Sequence, residues 1–108
     1  MWLVREGDVL ATAEVARDAR ARRRGLLGRD VIEGVLVLRP CRHVHTFGMR
    51  FPIDVAFCTV TGVVLRTCTL PPRRLSPVVP RAAFAIEATA GAFDRWNLRA
   101  GDRVELRG

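Results

Sequence analysis

Residues 53–70, IDVAFCTVTGVVLRTCTL, leave little choice of fold. Two runs rich in β-branched residues flank Thr61-Gly62, a pair suited to a tight turn. That pattern predicts an antiparallel hairpin. In the first run Ile53, Val55 and Phe57 share one face, because successive side chains on a strand alternate. The opposite face carries Asp54, Ala56 and Cys58.

The remaining chain reads in short pieces. Residues 1–16 read as two strands around Glu6-Gly7-Asp8, with Val9, Ala11, Ala13 and Val15 alternating against Leu10, Thr12 and Glu14. Asp18 is placed to cap a short helix that Gly28 closes. GVLVL, residues 34–38, is a strand covered on both sides. HVHTF, residues 43–47, resumes the β-branched alternation. Gly48 permits an unusual backbone angle, and Pro52 interrupts pairing. The Pro-rich stretch 71–80 reads as an ordered edge loop. Further on, Phe84, Ile86 and Ala88 face one way and Ala85 and Glu87 the other. A turn of helix around Phe93 and Trp96 and a final strand, RVEL, complete the chain. The expectation is a single domain over residues 1–108, mainly β, a small sandwich or closed barrel with one or two short helices.

The totals narrow the function classes. All 18 basic residues are Arg, against 11 acids, for a formal charge of +7. Arg in place of Lys follows from a GC-rich coding bias, whereas the excess of bases attracts phosphates and acidic surfaces at long range. Three Cys with no CxxC pair argue against a disulfide framework and for a reduced cytoplasm. Arg5, Glu6 and Asp8 stand where an export signal needs its apolar core, and no apolar run reaches membrane-spanning length. The chain is therefore expected to be cytoplasmic, with no membrane partner.

The order of pieces is similar to that of a known family. RRRGLLGR, then GVLVL, then HTFGMRFPIDVAFCTVTGVVL, then AIEATAGAFDRWNLRAGDRV resemble the bacterial and archaeal family named domain of unknown function 192, over about residues 8–106. The most specific piece is Phe47, Met49, Arg50, Pro52, Ile53 and Asp54. A second is the Glu87 strand ending in Gly91, with Gly101, Asp102, Arg103 and Val104 downstream. Many relatives have Trp where this chain has Gly48, and Lys where it has Arg50. The resemblance implies a small mainly-β domain with short helices, and it carries over no activity and no catalytic residues.

The residues themselves suggest one polar constellation. His43, His45 and Phe47 share a face. Asp54 and Glu87 each interrupt an apolar strand pattern. A buried carboxylate needs Arg, His or backbone N–H partners, and Arg50, Arg24 and His45 are the nearest to hand by pattern. The leading expectation is a non-enzymatic binding or accessory module. Its pocket would use His45, Arg50, Asp54 and Glu87, with Arg24 adjacent and Phe47 and Met49 as an apolar wall, and would take an anionic or polyhydroxylated small ligand without a cofactor. The same groups also serve as a structural network pinning helix to sheet.

Two alternatives stand beside it. His43 and His45 can meet one metal ion, completed by Asp54, Glu87 or Cys41, or act in acid–base hydrolysis. No nucleophile elbow surrounds Ser76, and no glycine-rich phosphate loop is present. The run Arg20–Arg24, with Arg73, Arg74 and Arg81, suits nucleic acid. Phe47, Phe57, Phe84, Phe93 and Trp96 read as core rather than as platforms for bases.

Overall fold

A computed structural model describes residues 1–16 and 32–108. The expected helix at residues 19–27, its cap Asp18 and the run Arg20–Arg24 lie outside the described residues. The strands are β1 (Trp2–Arg5), β2 (Asp8–Ala16), β3 (Val35–Leu38), β4 (Ile53–Cys58), β5 (Val64–Leu70), β6 (Phe84–Thr89) and β7 (Glu105–Arg107). A short helix, α1, spans Ala92–Trp96. The mainly-β expectation holds, as do both hairpins. The closed barrel does not form: the strands make one seven-stranded sheet, ordered β5-β4-β6-β3-β2-β1-β7.

Most pairings are antiparallel, while β2 and β3 run parallel. The two ends of the sheet are stitched without a continuous ladder. Val63 and Arg103 form an isolated bridge, and Val104 N–H donates to the Gly62 carbonyl at 2.9 Å. Gly62 has φ +91, and a Cβ there would stand 2.0 Å from the Val104 carbonyl oxygen. The turn therefore needs glycine both for its backbone angle and for the close approach of the opposite edge.

Burial follows the alternation on both faces. One face packs Val35, Val37, Ala56, Cys58, Phe84, Ile86 and Ala88 against Phe93 and Leu98. The other packs Leu36, Leu38, Ile53, Val55 and Phe57 against Cys41, Val44, Met49 and Ala82. These last four come from the connections around residues 39–52 and 71–83, which thus act as a lid over the second face. Every residue of β4 is buried, as a central strand covered on both sides requires.

The lid has its own sheet-like order. Residues 42–46 run antiparallel to residues 74–79, with a bridge between His45 and Leu75. Thr46 N–H donates to the Arg74 carbonyl at 2.9 Å, and Ser76 N–H donates to the Val44 carbonyl at 2.8 Å. The Thr46 side chain is fully buried. Its hydroxyl donates to the Pro71 carbonyl at 2.7 Å and accepts from Arg74 N–H at 2.9 Å. The Ser76 hydroxyl accepts from Val44 N–H at 2.8 Å and donates to the Pro77 carbonyl at 2.9 Å. Two short hydroxyl side chains thus satisfy the backbone of loops that would otherwise bury it unpaired.

Candidate functional site

Strand pairing separates the two carboxylates. Val55 lies across from Glu87, and Asp54 across from Ala88. Directly paired residues share a face, so Glu87 stands with Val55 and Leu36 on the lid side. Asp54 stands on the α1 side with Ala56 and Ile86. Both are buried, each 3% exposed, with the sheet between them. A single pocket holding both is therefore corrected to two sites on opposite faces.

Asp54 has a complete set of partners. The Thr69 hydroxyl donates to its Oδ1 at 2.7 Å. Oδ2 accepts from Gly91 N–H at 3.0 Å and from Phe93 N–H at 3.1 Å. These amides belong to the turn that opens α1, where the first N–H groups lack intrahelical partners and a negative charge is favourable. The helix supplies no side-chain cap of its own, so a strand aspartate caps it from outside. Arg5 holds the other end. Its guanidinium donates to the Trp96 and Asn97 carbonyls at 2.6 and 3.2 Å and pairs with Asp102 at 3.2 Å. Among the described residues the partner chemistry of Asp54 is thus a hydroxyl and two backbone amides, rather than Arg50 or His45; Arg24 lies outside the described residues.

The exposed residues tell a different story. His43, His45 and Phe47 do share a face, and it is the outward one, while Val44 and Thr46 point into the lid. Phe47 is 50% exposed, which corrects its assignment to the core and to a pocket wall. Met49 goes the other way and is buried in the lid cluster. The His45 and Phe47 rings lie 5.5 Å apart, tilted by 33°. Leu75, the bridge partner of His45, is 65% exposed. Arg73 and Arg74 precede it and are exposed, as is Arg50 three residues beyond Phe47.

This surface lies in an unusual half of the chain. Between Gly34 and Ile86 there are seven Arg and both His, and the single acid is Asp54, buried beneath α1. Outside this interval, Arg5 pairs with Asp102 and Arg107 with Glu105. The loop pair 42–50 and 71–79 is therefore a cationic surface with aromatic, imidazole and aliphatic groups at its centre. Its signal in the sequence is the acid-poor interval together with the alternation of residues 43–47. Leu75, Arg73 and Arg74 join it only through the pairing of two distant loops.

Other candidates are weaker. Cys41 is buried in the lid, and its thiol lies 3.1 Å from the His43 carbonyl, away from the outward imidazoles. Among the described residues no three His, Cys, Asp or Glu side chains gather as a metal site would require. Burial pushes the Cys58 thiol from an ordinary 9.0 up to about 12, with the Arg39 guanidinium opposing. Cys68 is raised chiefly by burial as well. Neither thiol is an activated nucleophile. A groove of about 270 Å³ lies between Arg39, Phe84, Thr61 and Leu106. There the Arg39 guanidinium sits 4.6 Å above the Phe84 ring. It contains none of the expected site residues. Among the described residues no helix is long and apolar enough to cross a membrane.

The sequence profile of DUF192, described as "Uncharacterized ACR", matches residues 2–106. The chain belongs to the DUF192 family. Among solved structures it is similar to a protein of unknown function from Novosphingobium aromaticivorans DSM 12444, at 20% identity and TM-score 0.76 over 87% of this chain and 74% of that one. It is also similar to a protein from Sinorhizobium meliloti 1021 described as a "putative transcription regulator". That likeness has 22% identity and TM-score 0.78, over 96% of this chain and 89% of the other. At these identities the likeness shows the fold alone. A comparison with curated proteins finds no match.

Proposed function

We propose that this DUF192 domain is a non-enzymatic binding module that engages an anionic partner through the surface of the loop pair 42–50 and 71–79. The observation that carries this is the exposure of His45, Phe47 and Leu75 beside Arg73 and Arg74, in a stretch whose one acid is buried. Large apolar side chains held outward next to cations fit recognition better than folding. A long-range positive field adds encounter rate. Asp54 and Glu87 fall outside this surface, and Asp54 serves the fold. A hydrolase built on His43 and His45 has no observation of its own in its favour.

Inorganic polyphosphate, a plain polyanion, tests the proposal by titration calorimetry. Binding is expected to weaken as salt rises and to fall at least fivefold when Arg73 and Arg74 are both replaced by Ala. Binding unaffected by that double change removes the surface from the function.

A further inference from the structure

We infer that the partner of this surface is single-stranded nucleic acid, with Phe47 as a platform for a base. The inference rests on the anionic-partner reading above and adds the chemical class.

A phosphate polymer or an acidic peptide needs cations alone. This surface also holds a phenyl ring outward, half open to solvent. The His45 imidazole stands 5.5 Å from it on the same side. The two rings lie two residues apart, His45 at the bridge and Phe47 in the turn that follows it. Two exposed flat groups in series suit unstacked bases. Sequence-tolerant strand binding combines these parts: aromatic faces for bases and a positively charged track for the backbone. Arg73 and Arg74 lie at the start of the facing segment, across from the His45–Phe47 side. Leu75 supplies an apolar floor, as the bridge partner of His45. A duplex fits poorly, because its bases present no free faces to these rings, and among the described residues no helix lies in this surface to enter a groove.

The test uses the full chain and three probes: a fluorescein-labelled twelve-residue oligothymidylate, polyphosphate of similar charge, and a poly-glutamate peptide. Oligothymidylate is expected to bind best. Phe47→Ala should weaken it about tenfold while changing polyphosphate affinity less than twofold. Phe47→Trp should keep the affinity and gain fluorescence quenching on binding. Arg73→Ala with Arg74→Ala should lower the salt slope by about 1.4. Circular dichroism of each variant checks that the fold is kept. An equal loss on both polyanions from Phe47→Ala, or tighter binding to poly-glutamate, overturns the nucleic-acid inference and leaves the anionic surface standing. No binding of any probe to the wild type overturns both.

Discussion

The buried surroundings of Asp54 and the loop pair around Phe47 put their polar and aromatic groups to opposite uses. Near Asp54 each carboxylate oxygen has a partner, from Thr69 or from the amides of Gly91 and Phe93, and the group is sealed from water. Near Phe47 the ring, the imidazole and the aliphatic Leu75 face outward. Satisfaction inside and display outside separate a group that holds a fold from one that meets a partner. A polar residue that interrupts an apolar strand is therefore weak evidence of a site until its partners are known.

The sharpest way to break the comparison is at Asp54. Asp54→Ala removes an acceptor from two helix-opening amides and a hydroxyl. Urea unfolding should show a loss of roughly 3–5 kcal/mol, with polyphosphate binding kept in the fraction still folded. Gly62→Ala, which drives a methyl into the Val104 carbonyl at the stitched edge, should cost roughly 2–4 kcal/mol by the same measurement. Thr46→Val leaves the Arg74 N–H and Pro71 carbonyl unpartnered beneath the lid and should cost roughly 2 kcal/mol. It should also weaken polyphosphate binding, because the loop pair that carries the surface loses its pin.

Smaller effects sharpen the contrast. The Cys58 thiol ionises near 9.0 when unfolded and only at about 12 when folded. Between those values the unfolded chain binds fewer protons, so stability falls as pH rises, by about 1.4 kcal/mol per pH unit at most. Below pH 9 that contribution is fully present. Cys58→Ala or Cys58→Val should flatten this slope in a series of urea titrations from pH 8.5 to 11. Least of all, His45→Ala and Phe47→Ala should shift stability by only about 0.5 kcal/mol, despite their expected effect on binding.

Much of the fold could be read from alternation. The hairpin at Thr61-Gly62, the doubly covered GVLVL strand and the faces of β4 and β6 all follow from side-chain period and turn chemistry. The site was less legible for two physical reasons. Both β4 and β6 are apolar on both faces, so the pattern within each strand does not say which of their faces coincide. Only the pairing of Val55 with Glu87 decides it, and it puts the two acids on opposite sides. Asp54 was visible as an interruption, but its amide partners lie some forty residues away and depend on β4 meeting β6.

Phe47 misled for a related reason. Alternation placed it with His43 and His45 but not on the inside or the outside. The inward place went to Thr46, whose hydroxyl answers the backbone of the facing loop. A polar side chain was worth more under the lid than an aromatic one, because loop amides and carbonyls had to be paired there.

Amide chemical-shift mapping of the ¹⁵N-labelled protein, titrated with polyphosphate, tests the division between the two regions most directly. Perturbations centred on His45, Phe47 and Arg73 to Leu75, with the amides of Gly91 and Phe93 unmoved, are the predicted result. Shifts centred on Gly91, Phe93 and Asp54, with the loop pair silent, would contradict it.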